Sequence, residues 1–119
     1  MSFKGDPTCL FCRMSKGEIP SQKVFEDDLV FAFKDINPQA PFHVLIVPKK
    51  HIESLSDISQ QDEEIVGHLQ SVISKIAETN VGKDGSYRVV INRGIGAGQS
   101  VFHLHYHLLA GRTFGWPPG

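Results

Sequence analysis

The chain has little cysteine, no surplus of either charge and no long apolar run. Two cysteines in 119 residues, Cys9 and Cys12, cannot form the crosslinks that hold small secreted domains together, so a packed core must carry the fold. In a reducing compartment the two are not expected to pair with each other. Twelve basic residues against thirteen acidic give a formal charge of −1. Such a balance excludes a non-specific grip on nucleic acid, and Pro48 to Lys50, "PKK", reads as a solvated loop. No stretch approaches the ~18 apolar residues that span a membrane, and the first residues lack the pattern of a secretory leader. The expectation is a cytoplasmic protein, free to enter the nucleus, with neither membrane nor nucleic acid as partner.

What is present is a set of short, well-punctuated elements with no internal repeat. About 40% apolar content over this length suits one domain spanning residues 1–119, with a short extension at 1–8 and a tail at 110–119. Leu10 to Lys16 suits a short helix stopped by Gly17 and Pro20. Lys23 to Asp27 and Leu29 to Ile36 read as a hairpin with acidic residues at its turn, and Asn37 to Pro41 breaks the chain. His43 to Pro48 is apolar on both faces, as a central strand would be. Ile65, Val66, Leu69, Val72, Ile73, Ile76 and Ala77 recur at helical spacing. Ser59 can cap that helix, and Asp62 and Glu63 suit its positive end, for a length of about 20 residues or roughly 30 Å. Tyr87 to Asn92 and Val101 to Leu109 supply two more strands. The expected fold is α+β: an antiparallel sheet of about five strands with one long and one short helix collected on one face.

Inside "SVFHLHYHLLAG", His103, His105 and His107 fall at every second position. On a strand the three rings share one face, while Leu104, Tyr106 and Leu108 share the other. A polar surface could produce the pattern, and so could a metal site, although consecutive side chains on a flat strand diverge where ligands should converge. The favoured reading is nucleophilic and acid–base chemistry, because crowded imidazoles disfavour one another's protonation and keep a lone pair free. Just before them, "NRGIGAGQS" sets Gly94, Gly96 and Gly98 among Asn92, Gln99 and Ser100, a run of donors suited to phosphate. The loop leads into the histidines rather than a helix, so neither a dinucleotide fingerprint nor a P-loop is supported. Together the two segments suggest attack by histidine on phosphorus.

"QSVFHLHYHLLAG" resembles the signature of the histidine triad (HIT) superfamily. "DINPQAPFHVLIVPKKHI", "EIPSQKVFEDD", "YRVVIN" and the closing "WPPG" are similar to its Hint branch, so the likeness runs from about Leu10 to Gly119. It implies a homodimeric hydrolase that cleaves purine nucleoside phosphoramidates through a nucleotidyl-histidine intermediate. The resemblance makes His105 the nucleophile, His107 a phosphate contact, Ser100 an aid to the leaving group and His43 a support for the nucleophile's proton balance. It assigns Asp35 to the ribose hydroxyls, and Phe11, Phe33 and Ile36 to an apolar slot for the base, although Phe33 and Ile36 also read as ordinary core. The nucleotide would further meet Asn92, Gly98, Gln99 and Ser100. The tail with Trp116 would reach across the dimer to the partner's site. Relatives that transfer nucleotidyl groups carry glutamine where His107 stands, which favours hydrolysis. Two other functions stay open: dinucleoside polyphosphate hydrolysis, and a nucleotide-binding scaffold or sensor with incidental turnover.

"CLFC" departs from the animal Hint pattern. A Cys-x-x-Cys pair is half a tetrahedral zinc site, and the resemblance to other members with such a pair implies His51 and His103 as its completion. Structural zinc is therefore the expected cofactor, with no organic one. Buried free thiols and a redox pair are the other readings. The redox reading requires the pair to follow a strand and open a helix.

Overall fold

The computed structural model describes residues 3–119. The hairpin expected at the start of the sheet forms from β1 (Lys23–Glu26) and β2 (Val30–Lys34). Its turn is closed by Asp27, whose Oδ1 accepts the amides of Leu29 and Val30 at 2.8 Å each. Two further strands precede and follow the long helix: β3 (Phe42–Pro48) and β4 (Tyr87–Val90). With β5 (Tyr106–Ala110) they complete an antiparallel sheet in the order β1-β2-β3-β5-β4. The doubly apolar β3 lies at its centre, as its sequence requires. Gly111 ends β5 at φ +94°, and a Cβ there would come within 2.9 Å of the Pro41 side chain. Glycine is the residue that fits.

Helix α1 (Leu10–Ser15) and helix α2 (Glu63–Asn80) are not on one face, as expected, but on opposite faces. Alternation along the strands explains it. Val30, Ala32, Val44 and Ile46 point to α2, where they pack with Leu69, Val72, Ile73, Ile76 and Ala77. Phe31, Phe33, Leu45 and Val47 point the other way and meet Cys9, Phe11, Cys12 and Met14 of the α1 segment. Both faces of the central strands are thus buried, at roughly 1.5–3 kcal/mol for each large aliphatic side chain.

The long helix starts later than a cap at Ser59 suggests. Ser59 and Asp62 form a reciprocal capping box, but around a 3₁₀ turn at Gln60–Asp62, so the α-helix proper begins at Glu63. Asp62 is buried, accepts from the amide and hydroxyl of Ser59, and pairs with Lys50. No helix among the described residues is long and apolar enough to cross a membrane.

Candidate active site and metal cluster

The three histidines do not share one strand. β5 starts at Tyr106, and His103 to His105 bend away from the ladder. The cause is competition for the backbone: the Leu104 amide donates to the Ile52 carbonyl, at 2.6 Å, instead of to a strand. The alternation survives the bend. Leu104, Tyr106 and Leu108 remain in the α2 core, and the rings of His105 and His107 stand with centroids 5.1 Å apart on the α1 side.

Each ring has its own partner, which sets its tautomer. His105 Nδ1–H donates to the His103 carbonyl at 2.7 Å, leaving the lone pair on Nε2. The Gln39 amide donates to His43 Nδ1 at 3.0 Å, so the proton of His43 is on Nε2. From there it is donated to His107 Nδ1 at 2.9 Å, which puts the proton of His107 on its own Nε2. The middle ring is therefore equipped as a nucleophile and the third as a donor. His43 serves His107, where the resemblance implied support for the nucleophile.

Burial pushes His107 down to about 4, helped by the charges His105 and His43 would carry and opposed by Asp35. His43 is lowered as well, first by burial and against the pull of Asp35. Asp35 Oδ2 lies 3.5 Å from His43 Nε2, and its Oδ1 accepts the Asn37 amide. Asp35, His43 and His107 converge closely enough to suggest a second metal site. The Gln39 amide argues otherwise, because it leaves His43 facing that group with a proton and not a lone pair.

The glycine loop is less open than its sequence suggests. A 3₁₀ turn at Ile95–Ala97 fills it, with Gly94 and Gly98 at positive φ. The Gln99 side chain accepts the Gly94 amide and donates to the carbonyls of Glu53 and Val101. The amides of Ala97, Gly98 and Gln99 also bond within the loop. Gly98 and Gln99, expected at phosphate, make these bonds within the loop. Ser100 is exposed, and Asn92 lies against Gly98.

The expected base slot is likewise redistributed. Phe11 and Phe33 are core residues in ring contact at 5.3 Å, whereas Ile36 is fully exposed. Trp116 stands out from the domain at 84% exposure, beyond a tail anchored by Arg88 on the Gly115 carbonyl and by Arg88 and Arg112 over Phe114.

Cys9, Cys12, His51 and His103 do converge. Their ligand atoms lie within 4.8 Å of one another. His103 Nδ1 is 3.3 Å from Cys9 Sγ and 3.5 Å from Cys12 Sγ; His51 Nδ1 is 3.4 Å from Cys12 Sγ and 3.2 Å from His103 Nδ1. A tetrahedral zinc with bonds of ~2.3 Å to sulfur and ~2.0 Å to nitrogen sets its ligands roughly 3.3–3.8 Å apart. The donor set fits that ion. His103 Nε2–H donates to the Pro48 carbonyl at 2.7 Å, which frees Nδ1 as a ligand and is the outer support such a histidine needs. Burial pushes His103 down to about 4 and the Cys12 thiol up to about 11, so metal binding must displace a thiol proton. Cys9 caps α1, accepting the Cys12 amide on its sulfur. The pair opens a helix, yet no strand precedes it among the described residues.

Residues 16–114 match the family described as HIT domain. The chain belongs to the HIT family. A relative from Zea mays, the 14 kDa zinc-binding protein, is 48% identical over 117 residues, covering 96% of this chain and 90% of its own. The crystal structure of a HIT family hydrolase from Legionella pneumophila superposes with a TM-score of 0.91 at 46% identity, covering 94% of this chain and all of that one. A histidine triad nucleotide-binding protein from Candida albicans gives 0.76 at 35% identity, with coverage of 94% and 85%. Within this HIT site, sequence reasoning missed the Gln39 amide and the Pro48 carbonyl. Both act through the backbone, which leaves no mark in residue type.

Proposed function

We propose that the chain is a nucleotide hydrolase that breaks the P–N bond of purine nucleoside 5′-phosphoramidates through a nucleotidyl intermediate on His105. The observation that carries this reading is the opposite tautomers of neighbouring rings, a lone pair on His105 Nε2 and a proton on His107 Nε2. His105 attacks phosphorus, forming an N–P bond as the bond to the amine breaks. The amine leaves with a proton that this reading assigns to the Ser100 hydroxyl. Water then adds to phosphorus and returns its proton to the Ser100 oxygen, and His105 departs with its electron pair restored, two easier steps replacing one hard one. His107 Nε2–H stabilises charge on the phosphoryl oxygens, where preorganised donors act most strongly. Asp35 and Asn92 are assigned to the sugar and phosphate.

The likeness to the Legionella hydrolase and the Candida nucleotide-binding protein supports the class of reaction. The likeness to the maize zinc-binding protein supports zinc at Cys9, Cys12, His51 and His103. When bound, zinc would supply a crosslink between α1 and the segments carrying His51 and His103, outside the chemical steps. Rapid quenching of a labelled adenosine phosphoramidate should trap phosphorus-bound label on the peptide containing His105. His105→Ala should lose turnover by several orders of magnitude and keep nucleotide affinity. Label on another residue, or near-normal turnover in that variant, refutes the assignment.

A further inference from the structure

We infer that His103 and Phe11 are positioning residues, which make the orientation of His105 depend on the Cys9–Cys12–His51–His103 cluster being occupied. This rests on reading His105 as the nucleophile. Residues 103–105 lie outside β5, so the sheet ladder does not hold their backbone. The ties that do hold it lead back to the cluster. The His103 ring has Nδ1 among the sulfurs and Nε2–H on the Pro48 carbonyl, and the Leu104 amide is held by Ile52, the neighbour of His51. The peptide between these ties carries the carbonyl that accepts His105 Nδ1–H. Gripping His103 at both ring nitrogens therefore fixes the one acceptor that selects the nucleophilic tautomer.

Phe11 makes a second connection. It stands between Cys9 and Cys12 on α1, and its ring meets His105 edge-on at 5.2 Å and 80° and His103 at 6.0 Å and 73°. It is buried, at 4% exposure. It is a wall behind the His105 ring, set in place by the thiols on either side of it. An unoccupied cluster loosens both holds, and the His105 proton is then free to move to Nε2, where it blocks attack.

The test reads the proton directly. Zinc-loaded, ¹⁵N-labelled protein gives the tautomer of His105 from long-range ¹H–¹⁵N couplings, with the backbone amide spectrum as the check on folding. The loaded protein should show Nδ1–H alone. Chelator-stripped protein, and zinc-loaded Phe11→Leu, should show both tautomers. Their kcat on the phosphoramidate should fall about tenfold to a hundredfold with KM nearly unchanged, the scale of losing an outer-shell support. If stripping unfolds the chain, the Phe11→Leu protein decides alone. A single unchanged tautomer in every folded sample overturns the inference. Should His105→Ala show that another residue is the nucleophile, the tautomer shift still reports the coupling, so the two failures remain distinct.

Discussion

His107 illustrates how much one ring depends on its neighbours. Its folded value of about 4, against 6.5 for a free imidazole, comes chiefly from burial. An unfolded chain takes up this proton near pH 6.5, while the folded chain resists until about pH 4. Between those limits the unfolded state binds more protons, so stability is fully present above about 6.5 and declines as the pH falls toward 4. Melting temperatures measured across that window at constant zinc should show the decline, and His107→Gln, which has no proton to gain, should make it shallower. An equal slope in the variant would show that the proton belongs elsewhere. The pattern of alternate histidines was legible as chemistry. The proton assignments were not, because the Gln39 amide and the His103 carbonyl that set them are groups every residue possesses.

At the level of elements, sequence periodicity foretold α2, the β1–β2 hairpin and the central place of β3, since each rests on side-chain alternation or helical spacing that burial then enforces. It failed where two elements compete for one backbone. The apolar–histidine alternation before Tyr106 looks like strand, yet Leu104 bonds to the segment after His51 instead. It also missed that the helices divide between faces, because a strand apolar on both sides does not say what covers each. Helix α1 is the element most dependent on the cluster. Six residues are far too few for a helix to be stable in isolation, so packing against Phe33 and the grip of Cys9 and Cys12 must hold it. Purified without chelator, the protein should contain close to one zinc per chain. Cys12→Ser should lose the metal and lower the melting temperature, because structural zinc adds directly to folding free energy. Elemental analysis that finds no zinc would disprove this role for α1.

For the whole molecule, the sheet stops at β4 with its outer edge unpaired among the described residues. Tyr87 and Val89 are exposed there, and beside them Ile73, Ile91 and Tyr106 line a depression of about 300 Å³ between the edge and α2. An open edge bearing apolar side chains is a template for another strand, and a second copy related by a two-fold axis would cover it isologously. We therefore expect a dimer, with light scattering at micromolar concentration giving twice the chain mass and Val89→Arg giving the monomer. The tail adds a functional consequence. Gly115 is tied to Arg88, but Trp116 beyond it projects into solvent, and we expect it to meet substrate at a partner's site. Deleting Trp116 to Gly119 should leave the melting temperature and dimer mass unchanged, because these residues bury little of their own domain. It should alter the kcat/KM ratio between two phosphoramidates that differ only in the amine, since a side chain at the partner's site meets the leaving group and not the chemistry of His105. A monomer mass for the intact chain, or an unchanged ratio after truncation, would rule out the exchanged tail.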